Sequence, residues 1–578
     1  MRRGLLVLSI QLLSVLAFAD IQKLSARHAV RTNGGIHVPI FRKESASRSL
    51  LKKRGELSGA IGLGDYFDVT YHVLVTIGNT STPLVLDTGS SDLWAISDAC
   101  TSESCMTEVS LYPQTNFTST GLEAQLFYGD SRTGTYALGI IGQDTVSLAG
   151  LCLDGQYFAA INDTNTSVLD TGAAGIFGLG FPSNSFIWSD VFFNKHASLS
   201  QHRRRDVLPA RSRPRRQGNF GTRFLPRLNS MPPVFPAIAN RIGSQRRQSR
   251  LNSSAAEWTS VITDSYASMG PFVVRLVAKA ELNAPMFTVT LQRNTISREG
   301  NVGQLSIGEL PAGIKNESLT WVPIRSYSSK EGGLVGPTDS PNEKYPINWE
   351  IFIDAVYLDG QKLNNSSLAS SDIAVSGLVD TGNTLVRGPS DVIDVIYAQL
   401  GGTEFSCSTP HTLAFQIGGK MFPVDPRDFI VQAHADNVDI CTANIAATDT
   451  PVLGEGPLYS WCLGDPFLKG VLSAFHYGNL SYPSVDSPRI GLLSTVPEDA
   501  SDKLIEAVRE ASSSDNLYGT AESAPTGLPV ADSTNSLGVP VVTAIPTPTS
   551  SNGDVVLSCQ IQGWLALLLG TVVVLLRP

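Results

Sequence analysis

The sequence predicts a mostly β fold, and three observations carry that expectation. Short runs rich in β-branched residues alternate between apolar and polar, turn-forming Gly, Asn and Pro separate them, and helical periodicity is scarce. Tyr71–Ile77 is the clearest strand, and Pro83–Leu86 follows it after a turn. Comparable runs recur at Phe287–Leu291, Gln304–Ile307, Ile351–Leu358 and Leu413–Ile417. The best helical signal covers Asp391–Leu400, where Pro389-Ser390 marks the start, and a shorter helix is expected over Glu498–Ala511.

At 578 residues, 42% of them hydrophobic, the chain is long enough for two substantial cores. Arg2 and Arg3 precede an apolar run from Leu5 to Phe18, and Ala17-Phe18-Ala19 supplies a small-x-small cleavage pattern. Residues 1–19 therefore read as an export signal. Residues 20–54 are basic and end in Lys53-Arg54, a dibasic processing site. Ahead of an acidic body, such a segment is expected to be a propeptide docked by charge. Sequons at Asn116, Asn162, Asn165, Asn252, Asn316, Asn364, Asn365 and Asn479 suit a glycosylated, secreted chain.

Beyond Thr495 the composition shifts to Ser, Thr, Pro and Gly, so residues 497–551 are expected to form a stalk. Ser551-Asn552-Gly553, a polar spacer and the apolar run Trp564–Leu576 follow. That run is shorter than the roughly 20 residues of a comfortable membrane helix. Residues 552–578 read as a signal for glycosylphosphatidylinositol (GPI) attachment, with a single-pass anchor as the alternative. The expected location is the cell surface, at the plasma membrane or cell wall.

The net charge of −9 hides two opposed parts. Between Arg203 and Arg250 lie thirteen arginines and one acid, Asp206, a net +12 that leaves −21 on the rest. An acidic body stays soluble in acid and argues against a nucleic-acid partner. The arginine-rich stretch reads as an insertion, at about 186–258, forming a surface loop.

Two segments resemble each other: Leu84-Val-Leu-Asp87-Thr88-Gly89-Ser90-Ser and Leu378-Val-Asp380-Thr381-Gly382-Asn383-Thr-Leu. Each sets apolar strand residues before Asp-Thr-Gly, one in each half of the chain. A lone Asp-Thr-Gly marks a turn; a framed pair points to two carboxylates at one site. An Asp at the end of an apolar strand sits on a buried loop, where Gly allows the turn and aims its amide at the carboxylate. Two carboxylates about 3 Å apart share a proton and titrate as a unit. One can take a proton from water while the other donates one, chemistry that requires no metal and no cofactor.

On these residues the chain resembles the pepsin family of bilobal aspartic peptidases over roughly Asp65 to Leu493. Asp87-Thr-Gly-Ser-Ser-Asp-Leu-Trp94 matches the family's whole first motif, and Tyr128-Gly129-Asp130 resembles its flap, the hairpin over the substrate. Gly175-Ile176-Phe177-Gly178 and Cys462-Leu463-Gly464 resemble the paired segments beside the catalytic loops. The resemblance implies two β lobes, 55–295 and 296–496, with the active site in the cleft between them. It implies Asp87 and Asp380 as the catalytic pair and Thr88 and Thr381 as cross-braces between the loops. Ser90 would support the outer oxygen of Asp87, and Tyr128 would hydrogen-bond Trp94. It also implies the disulfides Cys100–Cys105 and Cys407–Cys441. A narrower resemblance is to the yapsins, GPI-anchored fungal members that cut at basic residues; Asp130 in the flap fits that preference.

Departures from the family pattern matter as much. Asn383 stands where the family has Thr or Ser; its amide is expected to donate to Asp380. A third Asp-Thr-Gly, at Asp170, is followed by Ala173 and reads as a turn. Cys152 and Cys462 have no assigned partners, and Cys462 is expected to serve as a small apolar residue. The expected activity is an aspartic endopeptidase made as a zymogen, a monomer acting on proteins and peptides. The alternative is a silent pepsin-like surface-binding or adhesion protein.

Overall fold

Alternation in the strand Val69–Ile77 buries Tyr71, Val73, Val75 and Ile77 on one face. Gly78, at φ +58°, turns the chain into the strand Thr80–Asp87, which pairs back antiparallel from Ile77↔Thr80 to His72↔Val85. The computed structural model describes residues 29–44, 69–102, 105, 109–128, 135–166, 168–169, 171–202, 255–291, 303–329, 331–368, 370–434, 437–448, 458–514, 531–534 and 540–542. Among these, one eight-stranded sheet serves the first lobe. Its order is Phe41–Glu44, Val69–Ile77, Thr80–Asp87, Gly175–Gly178, Leu93–Ile96, Leu151–Thr164, Thr135–Leu148 and Thr118–Tyr128.

A twelve-stranded sheet joins strands from both halves of the chain. Its order is Val30–Arg31, Ile36–Pro39, Gly303–Ile307, Met286–Leu291, Val471–His476, Arg489–Ser494, Thr320–Tyr327, Tyr345–Phe352, Ser376–Val379, Trp461–Leu463, Val386–Pro389 and Ile445–Thr448. The fold is mostly β, as expected. Leu413–Ile417 is a strand with those ends, and the helix expected at Asp391–Leu400 spans Ser390–Gln399. The run Ile351–Leu358 divides into Tyr345–Phe352 and Ala355–Leu358. It breaks there because Ile353 donates its amide to Val375 in one sheet and Asp354 donates its amide to Gln416 in another.

Among the described residues, the helices Phe186–His202, Ala255–Met269 and Phe272–Ala278 escaped the sequence reading, as did the one-turn helices Pro426–Phe429 and Asp465–Leu468. An aromatic cluster joins the first two, with Trp188 against Tyr266, Phe192 against Trp258, and Trp188 Nε1 donating to Ser265 Oγ at 2.8 Å. Such contacts, not a strong amphipathic period, hold them. The first of these helices lies inside the stretch 186–258 read as an insertion, and the second begins at that stretch's far end. The arginine run is outside the described residues.

Residues 29–44 are built into both sheets. Ile36–Pro39 pairs antiparallel with Gly303–Ile307, and Phe41–Glu44 pairs with Val69–Ile77. Ile36, Val38 and Ile40 are fully buried. Backbone pairing and apolar burial hold residues 36–40 in place. His37, also buried, contacts Ser306 Oγ at 2.8 Å and Glu309 Oε1 at 2.7 Å.

Cys100–Cys105 and Cys407–Cys441 are disulfides. Cys152 is disulfide-bonded and Cys462 is a free buried thiol, so these two do not pair with each other. The helix Ala500–Ser513 buries Leu504, Val508 and Ala511 against the second lobe. Of the stretch after it, only a small hairpin, Ala531–Thr534 with Pro540–Val542, is described, and residues 552–578, read as a GPI signal, lie outside the described residues. Among the described residues no helix is long and apolar enough to cross a membrane.

Candidate active site

Each Asp-Thr-Gly leaves the end of an apolar strand gripped on both sides. Thr80–Asp87 runs parallel to Gly175–Gly178, with Asp87 opposite Gly178 and its carbonyl accepting from Leu179 N at 2.8 Å. Ser376–Val379 runs parallel to Trp461–Leu463, and Asp380 N donates to Leu463 O at 3.2 Å. The Gly-ended segments singled out in the sequence therefore flank the two loops. In-register pairing of flat, apolar strands leaves each Asp little freedom to move.

The loops meet across the lobe boundary. Thr88 Oγ1 donates to Val379 O at 2.8 Å, and Thr381 Oγ1 donates to Leu86 O at 2.7 Å. Each hydroxyl also accepts the other threonine's amide, at 3.0 and 3.1 Å. All four groups are buried. This double exchange sets Asp87 and Asp380 side by side, close enough that each shifts the other's titration.

The glycines serve proximity rather than turn geometry, for neither has a positive φ. A Cβ on Gly89 would lie 2.5 Å from Asp380 Oδ1, and one on Gly382 would lie 2.5 Å from Asp87 Oδ1. Their amides donate to their own loop's carboxylate, Gly89 N to Asp87 Oδ1 at 2.8 Å and Gly382 N to Asp380 Oδ1 at 2.9 Å.

The two carboxyls are not equivalent. Asp87 accepts from the amides of Gly89 and Ser90, and its outer oxygen Oδ2 accepts from Ser90 Oγ. Burial raises its pKa while those donors oppose the rise. Burial raises Asp380 as well, and the charge of Asp87 beside it raises it further.

Position 383 departs from the expectation. The Asn383 side chain does not donate to the Asp380 carboxyl; its Oδ1 accepts from Leu385 N at 3.1 Å, and its Nδ2 donates to Cys462 Sγ at 3.0 Å. Cys462 is more than an apolar filler, because its thiol donates to Asp380 Oδ2 at 3.6 Å.

Tyr128 ends the strand Thr118–Tyr128, and Trp94 Nε1 donates to its hydroxyl, their ring centroids 6.1 Å apart. Gly129 and Asp130 lie outside the described residues. Asp170 does too, but its neighbours form a turn: Thr171 N donates to Val168 O, Gly172 N donates to Leu169 O, and Gly172 has φ +83°. That left-handed glycine contrasts with Gly89 and Gly382.

Sequence reasoning passed over Asp92, although it lies inside the first motif. Its carboxylate accepts from Ser185 Oγ, Phe186 N and Ile187 N, satisfying the first amides of the helix Phe186–His202 from outside the helix. It also missed Leu179, whose carbonyl accepts from Trp349 Nε1 and Tyr477 OH and ties the end of the first catalytic strand's neighbour to the second lobe.

A family profile described as eukaryotic aspartyl protease matches residues 70–203 and 258–482, skipping most of the arginine-rich stretch. Cathepsin E-A of Xenopus laevis is 25% identical over 500 residues, covering 80% of this chain and 94% of its own length. Pepsin A of Bos taurus is 24% identical, covering 81% and 98%. Major aspartyl peptidase 1 of Cryptococcus neoformans is 23% identical, covering 75% and 72%. With two interlocked Asp-Thr-Gly loops and a match that runs through both lobes, the chain belongs to the eukaryotic aspartyl protease family and is a hydrolase of peptide bonds.

Proposed function

We propose that Asp87 and Asp380 are the catalytic pair of a secreted, surface-anchored endopeptidase made as a zymogen. The observation that carries this reading is the close approach of two buried carboxyls held by unequal donors. Asp87 accepts two amides and a hydroxyl; Asp380 accepts one amide and a thiol. The richer set stabilises the anion on Asp87, so the shared proton belongs on Asp380.

The reaction follows from that assignment. Asp87 takes a proton from a water between the carboxyls, the water oxygen bonds to the peptide carbon, and Asp380 gives its proton to the carbonyl oxygen. The product is a neutral gem-diol. Asp87 then protonates the leaving nitrogen, Asp380 regains a proton from a diol hydroxyl, and the carbon–nitrogen bond breaks. Acid and amine depart with the pair restored. Trp94 holds the Tyr128 hydroxyl at the base of the flap, where it borders the bound peptide.

Cleavage of a reporter peptide from pH 3 to 7, with and without pepstatin, tests the reading. Asp87→Asn and Asp380→Asn are expected to abolish cleavage, and Asp170→Asn to spare it. Equal loss at Asp170, or none at Asp380, refutes the assignment.

The basic segment ending at Lys53-Arg54 supports a zymogen, and the stalk and Trp564–Leu576 support a GPI anchor. Phosphatidylinositol-specific phospholipase is expected to release the protein from cells; retention points to a spanning helix. Asp130 supports a preference for Lys before the cut, tested by comparing Lys and Leu peptides on the wild type and Asp130→Asn.

A further inference from the structure

The two catalytic loops repeat each other except at one contact. In the first, Ser90 Oγ donates to the outer oxygen of Asp87. In the second, the equivalent residue is Asn383, and its amide is committed elsewhere. Its Oδ1 accepts from Leu385 N at 3.1 Å and from Arg387 Nε at 3.4 Å. A backbone N–H can only donate, so this contact identifies the amide oxygen and leaves the NH2 group facing Cys462 Sγ at 3.0 Å. The outer oxygen of Asp380 meets the Cys462 thiol instead, at 3.6 Å.

The strand register puts the sulfur there. Cys462 lies opposite Leu378, two residues before Asp380, on one side and opposite Arg387 on the other. It is 3% exposed, with no room for another role. We propose that Cys462 is a positioning residue of the dyad: oriented by Asn383, its thiol supplies Asp380 with the outer hydrogen bond that Ser90 supplies to Asp87. This rests on the reading of Asp87 and Asp380 as the catalytic pair.

The charged and titratable groups facing the thiol are Asp380 and Arg387. Burial and the charge of Asp380 push the thiol's own pKa well up, with Arg387 opposing, so sulfur keeps its proton and donates it as a hydrogen bond. A thiol is a weaker donor than a hydroxyl. The arrangement therefore stabilises the Asp380 anion less than Ser90 stabilises that of Asp87, which keeps the shared proton on Asp380. Asn383 and Cys462 act as one device, since neither alone reproduces the serine contact.

The test compares wild type, Cys462→Val, Cys462→Ser and the double variant Cys462→Val/Asn383→Ser, reading kcat and kcat/KM against pH together with Tm. Valine removes the donor at similar volume. Asp380 then holds its proton more tightly, and the alkaline limb of the kcat profile is expected to move up by about half to one pH unit. Cys462→Ser, a stronger donor, is expected to move the limb down. In the double variant the hydroxyl at 383 is expected to bring it back towards wild type. KM should change less than kcat, because no substrate contact is altered. Profiles of Cys462→Val and Cys462→Ser that superimpose on wild type overturn the proposal, as does a folded double variant that stays at the Cys462→Val position. A wild type with no pepstatin-sensitive cleavage at any pH fails differently, because it removes the catalytic reading of the aspartates itself.

Discussion

Thr88 and Thr381 each send a hydroxyl into the other's loop, Thr88 Oγ1 to Val379 O at 2.8 Å and Thr381 Oγ1 to Leu86 O at 2.7 Å. The two residues are 293 positions apart and bind the halves of the chain beside Asp87 and Asp380. Valine at either position keeps the shape and removes the donor, leaving a buried carbonyl and a buried amide unpaired. The expected cost is about 1–3 kcal/mol of stability. A small displacement of the carboxyls should lower kcat on the order of 100-fold. Denaturant unfolding and steady-state kinetics of Thr88→Val and Thr381→Val check both; normal kcat in either would show that the brace does not position the dyad.

Gly89 and Gly382 make a separate prediction. A methyl group at either would sit 2.5 Å from an oxygen of the opposite aspartate. Gly89→Ala and Gly382→Ala should therefore drive the carboxyls apart and lower kcat on the order of 100-fold or more. Because the glycines have ordinary φ values, the folded lobes should survive with native circular dichroism. Full activity in the alanine variants would contradict the close approach.

Buried carboxyls should make the protein more stable in acid than at neutrality. Asp92 is 5% exposed, and burial pushes its pKa up to about 6 despite its hydrogen bonds to Ser185, Phe186 and Ile187. A folded pKa above the unfolded one means that the folded state holds a proton the unfolded chain has released. The contribution is complete below about pH 4 and is lost as pH rises through about 6, roughly 3 kcal/mol in all. Glu350 is raised by burial in the same direction. Asp391, Asp486 and Glu331 are lowered and act oppositely, but they are more exposed and better screened. Tm is expected to fall between pH 4 and 7, and Asp92→Asn to flatten that slope. A Tm that rises over this range would falsify the account.

The N-terminal strand should outlast its own cleavage. Ile36, Val38 and Ile40 are buried, and Ile36–Pro39 is paired along Gly303–Ile307. Three such side chains contribute roughly 5–9 kcal/mol at most, in addition to the ladder. After a dibasic-directed enzyme cuts at Arg54, fragment 20–54 should co-elute with the body under native conditions and separate in denaturant. Val38→Asp should release it. Immediate loss of the wild-type fragment would mean that the strand is not held by these contacts.

Much of this protein is written locally. An apolar run before Asp-Thr-Gly encodes a strand ending in a buried carboxylate, and two of them, with Trp94 and Tyr128 in order, mark the two loops that meet in the structure. The left-handed Gly172 beside Asp170 is equally local, since turn chemistry depends on neighbours. Strands such as Leu413–Ile417 follow from alternation alone.

The amino-acid order by itself determined the two loops, the β character and the residues able to share a proton. Tertiary structure alone decided which partners those residues take. Only the register of Trp461–Leu463 against Val386–Pro389 places the Cys462 thiol against Asp380 and turns Asn383 away from it. Only packing puts Asp92 at the start of a helix 94 residues downstream, and a strand before Lys53-Arg54 into the central sheet. Hydrogen bonds act over about 3 Å in space, whatever the distance along the chain, so a partner remote in sequence leaves no periodic or compositional trace to read.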